Sequence, residues 1–401
     1  MKEKNRDTPF RILMVMICTR CTIGGAEKRY ARVFKMLIKH LGISPLMLIS
    51  RSMFDLLKAA DILTEDEEPY LIVLDYPFSR LISSIKPPRF QKLFVAIIRI
   101  HELLWYIWQY LRSVQHYNPD VIHPLLTALY LSLPLMILRP QQRYVTSDYS
   151  TLFRPREYFH ASWSVDIATQ LKRWVLKHSD VVDALKDSIR INLITQGVNE
   201  AKIRVAPCSF TDVSLCDPAQ NREKWVVFLA RLIEHKNPIL LIEAIPQIID
   251  VHPDTHFYIL GEGPLEHHLK SLLQTLHLTN HTTLMFEAYP TQILNHSSIF
   301  VSLQTHDNYP SQSLLEAMAC GNAIVATDVG ETQRLVDEHN GIRIPPTKEA
   351  LANAIIRLLN DPELGQKQQM SQQRVLTEHT PERFFQYITQ VYQQAVAESS
   401  K

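Results

Sequence analysis

The chain predicts an α/β fold built on two doubly wound parallel sheets, and three features carry that expectation. Short, nearly continuous apolar runs recur along the sequence, separated by longer segments of helical periodicity, the pattern of parallel strands buried on both faces. The 401 residues are 46% hydrophobic, enough for more than one sizeable core. Glycine is scarce, ten in all, and several stand at strand-to-helix turns, where a backbone must bend or be approached closely.

The strands follow from the apolar runs. Ile12–Cys18, Leu46–Ile49, Tyr70–Leu74, Val121–His123 and Arg143–Thr146 read as one sheet. Trp225–Ala230, His256–Leu260, Thr283–Phe286, Ile299–Leu303 and Ala323–Thr327 read as a second. Between them, Val205 to Lys224 carries Pro207, Asp212, Asp217, Pro218 and Asn221 and reads as a linker. The expected domains are 1–206, 207–378 and a terminal helix within 379–401, with a ligand crevice at the carboxyl ends of both sheets. Val121 to Leu138 is apolar for eighteen residues and interrupted by His123, Pro124 and Pro134. It fits a membrane span by length, and equally a strand leading into a buried helix. The charged Met1–Arg11 precedes an apolar run too short for a signal peptide, so Ile12–Cys18 reads as a first strand.

Charge and cysteine content exclude some functions. With 42 basic and 41 acidic residues the chain has no global field to hold nucleic acid. Five cysteines, Cys18, Cys21, Cys208, Cys216 and Cys320, contain one C-x-x-C but no second pair or histidine cluster to complete a metal site. They fit reduced thiols in the cytoplasm, with a thioredoxin-like motif at Cys18/Cys21 as the alternative.

Five segments bear chemistry. After the first strand, Gly24-Gly25 lets backbone amides approach a phosphate or sugar, or simply makes a tight turn before a helix from Ala26 to Leu37. No G-x-G-x-x-G is present, which argues against nicotinamide binding. Arg231 lies just past a strand, and Lys236 just before a helix opened by Asn237 and Pro238. Two such cations can clamp a diphosphate, or can be two solvated charges. Asp307 to Gly321 is a polar loop running into a short helix whose N-terminus favours an anion. There Glu316 can accept bonds from ribose hydroxyls with Asp307 or Asn308 on a sugar, or can close a capping box with Ser313. His123 ends a strand at the expected crevice, as a substrate contact or a structural histidine. Residues 89–112 carry an apolar stripe of Phe90, Leu93, Phe94, Ile97, Ile98, Leu104, Trp105, Trp108 and Leu111 opposite Lys92, Arg99, Glu102, Gln109 and Arg112. That helix suits a membrane interface or packing on the sheet.

In this order the segments resemble the retaining, nucleotide-sugar-dependent glycosyltransferases of the group-one family (family four), which have the GT-B fold of two Rossmann-like domains with an interdomain cleft. The likeness is strongest from Trp225 to Pro346, through Arg231/Lys236, Gly261-Glu262-Gly263-Pro264-Leu265, the 307–321 segment and Thr327-Asp328-Val329-Gly330-Glu331. Gly24-Gly25-Ala26-Glu27, Asp120–His123 and the closing helix Thr380 to Ala395 extend it. The resemblance implies that Arg231 and Lys236 hold the donor diphosphate, that the amides of Gln312, Ser313 and Leu314 take a phosphate, and that Glu316 takes the ribose. It implies that Gly24 and Gly25 face the same diphosphate, and it places Gly261 and Glu262 on the donor side. The family's first acidic position falls on Asn308 by spacing, so either Asp307 fills it through a one-residue insertion or an amide replaces it. Asp148, in Val145-Thr146-Ser147-Asp148, stands where family members carry a histidine, and Cys208-Ser209 where they carry asparagine-glycine.

The function so implied is transfer of a sugar, with retention, from a nucleotide-diphosphate-sugar to a glycan or lipid-linked acceptor in cell-surface polysaccharide synthesis. No metal or other cofactor is expected, since the crevice lacks an Asp-x-Asp motif. The expected location is cytoplasmic, with peripheral membrane contact through 89–112. A nucleotide-sugar 2-epimerase and a non-catalytic nucleotide-sugar-binding protein are the alternatives.

Overall fold

The computed structural model describes residues 9–18, 25–78, 91–125, 128–148, 163–210 and 213–397. They fall into two compact units, Met1–Pro207 with Phe385–Lys401, and Cys208–Phe384.

The first unit runs β1 (Phe10–Met16), α1 (Gly25–Lys39), β2 (Ile43–Ser50), α2 (Arg51–Ala59), β3 (Leu71–Leu74), α3 (Gln91–Tyr117), β4 (Val121–Pro124), α4 (Ala128–Leu138), β5 (Val145–Asp148), α5 (Trp163–His178), β6 (Val181–Ala184), α6 (Asp187–Thr195) and β7 (Ile203–Val205). Its strands are parallel, in the order β3-β2-β1-β4 and β5-β6-β7, and one bridge between Ile122 and Tyr144 joins the two groups. The single five-stranded sheet expected here is therefore corrected. β6 escaped notice because Asp183 breaks its apolar run, and β7 because it is three residues long with Arg204 at its centre. The apolar stretch from Val121 resolves into β4 and α4, and among the described residues no helix is long and apolar enough to cross a membrane.

The second unit runs β8 (Glu223–Leu229), α7 (Pro238–Val251), β9 (His256–Leu260), α8 (Glu266–Thr275), β10 (Thr282–Met285), α9 (Thr291–Leu294), β11 (Ser297–Ser302), α10 (Gln312–Ala319), β12 (Ala323–Thr327), β13 (Gly341–Ile344), α11 (Lys348–Leu359) and α12 (Leu364–Glu378). A last helix, α13 (Pro381–Ala397), contains the division at Phe384. The sheet is parallel throughout, ordered β10-β9-β8-β11-β12-β13. Period-two alternation sorts its side chains. Val226, Phe228, Ile299, Val301, Ala323 and Val325 enter a core under α7, α8 and α11, while Val227, Phe300, Ile324 and Ala326 face a core that includes α9, α10 and Val375 of α12. β8 and β11 are the neighbours at which the winding reverses, so their exit loops diverge and leave a crevice at their carboxyl ends.

The expected linker is strapped down from Val213 onward. Asn295 takes three bonds from it: its Oδ1 accepts from Asp217 N, its Nδ2 donates to Leu215 O and its carbonyl accepts from Ala219 N. Arg222 donates to the carbonyls of Ser297 and Cys320. Backbone groups of Leu215, Asp217 and Ala219 and the Arg222 guanidinium thus hold this segment on the second unit. Cys216 and Cys320, both free thiols, bring their sulfurs to 3.4 Å.

α3 has two apolar faces instead of one. Tyr106, Tyr110 and Val114 are buried in the first unit's core, with Ile98, Trp105 and Leu111 packed beside them. On the other side Ile97, Ile100, Leu104 and Trp108 are each more than half exposed (56, 58, 58 and 53%), with the Arg112 guanidinium 5.6 Å over the Trp108 ring. Trp105 and Trp108, expected on one stripe, lie on different faces. Phe90 lies outside the described residues.

His123, Ser147 and Asp183 occupy the third position of β4, β5 and β6 and form a buried polar row. His123 Nε2 meets Ser147 Oγ at 2.8 Å, and Ser147 Oγ donates to Asp183 Oδ2 at 2.8 Å. Helices close the row from outside: Tyr30 of α1 donates to Asp183, as does Tyr387 of α13, and Tyr392 of α13 meets His123 Nδ1 at 2.8 Å. His123 is fully buried and satisfied at both nitrogens, which corrects its expected place at a ligand crevice. Asp148 is also withdrawn, in a buried ion pair with Lys172 at 2.7 Å, so it does not stand in for the histidine of the resemblance.

Burial holds the His123 pKa down to about 3, against an ordinary 6.5. The stability that neutral His123 contributes is complete above about pH 6.5 and is lost as pH falls toward 3. His123→Gln should therefore reduce the slope of unfolding free energy against pH between 6 and 4 by about one bound proton, read from denaturant unfolding across that range. His379, held at about 4 by burial, retains its own share of the slope in the variant.

Candidate active site

The exit loop of β8 is built on glycine. Ala230 N donates to Leu260 O at 3.1 Å and Leu232 N to Glu262 O at 2.9 Å, so the loops leaving β8 and β9 stack backbone against backbone. A Cβ on Gly261 would lie 2.0 Å from the Ala230 carbonyl oxygen, and one on Gly263 2.5 Å from that of Leu232. The close approach these glycines permit is thus to the loop carrying Arg231, and the carbonyl of Glu262 supports the same loop. Arg231 is exposed. The chain then makes a short turn, passes through left-handed Asn237 (φ 54°, ψ 49°), and enters α7 with Pro238 in its first turn.

Lys236, half-buried, is drawn across the switch point. Its Nζ donates to Gln304 Oε1 at 3.0 Å, and two residues bracketing that contact tie the loops by backbone, Thr305 N to His235 O at 3.1 Å. Burial, and then the positive charge of Arg231, lower the Lys236 pKa from 10.5 to about 8. Arg231 and Lys236 therefore lie close enough to feel one another, a crowding of cations that an anion would relieve.

Beyond Gln304 the chain reaches α10 through a loop fixed by its own acid. Asp307 Oδ1 accepts from Tyr309 N at 3.1 Å and from Glu331 N at 3.3 Å. Gly330 (φ 56°) makes room for it, since a Cβ there would lie 2.2 Å from Asp307. Asp307 thus shapes the loop, while Asn308 is exposed and lines a small cavity of about 20 Å³ with Gln304, Tyr309, Ser311, Leu314 and Thr327. Tyr309 is held under the Arg334 guanidinium, 4.4 Å from its ring centroid.

Ser311 is the N-cap of α10, in extended conformation, and its side chain caps no amide. Of the two alternatives for Glu316, the capping box with Ser313 is not formed: Ser313 is inside the helix, and Glu316 lies in its second turn, half-buried. The amides of Gln312, Ser313 and Leu314 are the first of α10, where the helix dipole adds positive potential. Gln312 reaches sideways, donating through Nε2 to Ser209 Oγ at 2.9 Å.

The second unit thus brings Arg231, Lys236 and the start of α10 to the carboxyl end of its sheet, around Gln304, Asn308 and Thr327. Gly25 is the first residue of α1 in the other unit, and Gly24 lies outside the described residues. Sequence reasoning missed Gln304 and Thr327, the latter donating to the Gln304 carbonyl at 2.6 Å. A polar residue immediately past an apolar strand was the available signal for Gln304. Phe286 and Tyr289, after β10, are exposed aromatic side chains.

Residues 217–374 match the family described as Glycosyl transferases group 1. Over 219 residues the chain is 25% identical to the phosphatidyl-myo-inositol mannosyltransferase of Mycolicibacterium smegmatis, covering 51% of this chain and 56% of that one. Over 224 residues it is 22% identical to the gpi3 component of the Schizosaccharomyces pombe phosphatidylinositol N-acetylglucosaminyltransferase, covering 54% and 49%. The chain thus spans about half the length of these curated relatives. Among solved structures, Anabaena HepE in complex with UDP and glucose superposes with a TM-score of 0.70 at 18% identity, covering 95% of this chain and 98% of that one. The sucrose-phosphate synthase of Thermosynechococcus elongatus gives 0.72 at 20%, covering 97% and 100%. At that identity the likeness is one of fold, and the fold is GT-B.

Gly261→Ala should displace the Arg231 loop, because the new methyl meets a backbone carbonyl and not a movable side chain. The expected cost is about 2 kcal/mol or more in chemical denaturation. Gly365→Ala, where nothing stands within 4 Å of the added Cβ, should be neutral or slightly stabilising and serves as the control.

Proposed function

We propose, for a chain whose residues 217–374 belong to the group 1 glycosyltransferases, that it moves a sugar with retention from a nucleotide-diphosphate-sugar to a glycan or lipid-linked acceptor. The observation that carries this reading is that Arg231, Lys236 and the N-terminus of α10 all lie on loops leaving the carboxyl ends of the second sheet's strands, Arg231 and Lys236 close enough to act on one another. A departing diphosphate gathers negative charge as its bond to the anomeric carbon breaks. Two cations and a helix N-terminus stabilise that charge most where water is excluded.

Attack from the face the leaving group vacates needs no separate base. The acceptor oxygen bonds to the anomeric carbon while its proton passes to a phosphate oxygen of the leaving group. Glu316, on the helix that offers the phosphate amides, is assigned to the ribose, and Asn308 in the cavity to the sugar. Phe286 and Tyr289 offer faces on which the base can stack. Because protein cations supply the charge stabilisation, the reading requires no metal, and EDTA should leave turnover unchanged.

A lipid-linked acceptor is supported by the phosphatidylinositol-acting names of the relatives and by the exposed apolar face of α3. Ile97, Ile100, Leu104 and Trp108 form a stripe with an arginine beside the tryptophan, suited to an interface of acyl chains and anionic headgroups. The location proposed is cytoplasmic, at the inner face of the membrane, in the synthesis of cell-surface polysaccharide.

A thermal-shift screen across nucleotide sugars should raise the melting temperature with at least one donor. Arg231→Ala and Lys236→Ala should each lower turnover about 100-fold, and proton NMR of the product should show the donor's anomeric configuration. No shift with any donor would refute the reading. Replacing Ile97, Leu104 and Trp108 together by serine should abolish cosedimentation with anionic liposomes while leaving the melting curve in place, since all three are exposed. Undiminished sedimentation would refute the membrane assignment.

A further inference from the structure

We propose that Gln304 is the positioning residue of the diphosphate clamp, holding the Lys236 ammonium charged and in place across the gap between the exit loops of β8 and β11. The inference rests on the reading of Arg231 and Lys236 as a diphosphate site. Its own evidence is the geometry around one amide. Gln304 is 8% exposed, so its side chain is a fixed acceptor and not a solvated one. Its Nε2 faces Ser302 Oγ at 3.4 Å, which turns the carbonyl oxygen toward Lys236 Nζ, 3.0 Å away. Its backbone carbonyl takes the Thr327 hydroxyl at 2.6 Å, and the next amide, Thr305, bonds to His235 O at 3.1 Å. Three strands' exits, those of β8, β11 and β12, are therefore fastened at this residue.

The choice of an amide has a chemical consequence. A carboxylate at the same place would form an ion pair with Lys236, neutralise it and repel a phosphate. An apolar side chain would leave the half-buried ammonium without an acceptor and favour its deprotonation. A neutral carbonyl satisfies one N–H while leaving the full positive charge and two further donors for a ligand. The charged group that acts on Lys236 is Arg231, on the same loop; the β11 loop presents Gln304, which does not titrate, with His306 two residues on. As Lys236 loses its proton near pH 8 in the unliganded protein, nucleotide binding should weaken above that pH.

Isothermal titration with UDP and with GDP from pH 6.5 to 9.5, on wild type, Gln304→Leu, Gln304→Glu and Lys236→Ala, tests the inference. Wild type should bind at least one of the two with an alkaline fall-off, and Lys236→Ala should bind weakly without it. Gln304→Leu should weaken binding about tenfold at pH 7.5, the effect of one hydrogen bond to a charged group, and move the fall-off to lower pH. Gln304→Glu should also weaken binding but move the fall-off to higher pH. A uniform loss of affinity with the fall-off unmoved in both Gln304 variants would assign Gln304 a merely structural part and overturn the proposal. Wild-type binding unaffected by Gln304→Leu would overturn it alone. Failure of wild type to bind either nucleotide would overturn the diphosphate reading and this inference together.

Discussion

A half-buried ammonium facing a neutral amide across a sheet's switch point is the contact from which the candidate site takes its shape. Parallel winding forces the loops after β8 and β11 apart, because their helices cross to opposite faces of the sheet. Something must span the gap, and Lys236–Gln304 together with Thr305–His235 does. Placing a charge there costs desolvation free energy, visible in the lowered pKa of Lys236, and Arg231 adds repulsion. Fold stability alone would favour an apolar pair at that position. Two cations close enough to repel one another, one of them bonded to a neutral amide, are an arrangement suited to a polyanion.

The first unit meets the same strand-end problem in the opposite way. His123, Ser147 and Asp183 also stand at the third position of neighbouring strands, but tyrosines from α1 and α13 close over them and saturate their bonds. Burial pushes the Asp183 pKa up and the His123 pKa down, and neither group faces solvent. A satisfied polar row of this kind fixes the seating of α13 on the sheet, since sliding the helix by one turn would orphan several buried groups at once. One strand-end constellation therefore specifies packing, and the other leaves charge available.

Much of this was legible in the chain because parallel strands buried on both faces must be continuously apolar. Ten strands could be found that way, and the three overlooked each break the rule: β6 by Asp183, and the edge strands β7 and β13 by Arg204 and Arg343. Among candidate site residues, Arg231, Lys236 and the start of α10 could be picked out because each follows a strand end at a turn bearing glycine, proline or asparagine. His123 and Asp148 misled for a definite reason. A polar residue at a strand end looks the same in sequence whether it faces a ligand or a long-range partner, and here the partners, Tyr392 and Lys172, lie 269 and 24 residues away. Gln304 left only the weak signal of a polar residue just past an apolar strand, and its partner Lys236 lies 68 positions back.

The glycines sharpen the distinction between contact with a ligand and contact within the fold. A Gly-Glu-Gly-Pro turn beyond a parallel strand invites a phosphate-loop reading, yet the space its glycines vacate is filled by the carbonyls of Ala230 and Leu232. Gly330 likewise yields to Asp307, whose Oδ1 then accepts from the backbone amides of Tyr309 and Glu331. These glycines accommodate neighbouring groups of the fold itself. They allow exit loops to stack without intervening side chains, and such stacking makes the loop bearing Arg231 stiff. A stiff loop would lose little entropy on taking up an anion, so the missing Cβ at Gly261 and Gly263 bears on the preorganisation of the loop that carries Arg231.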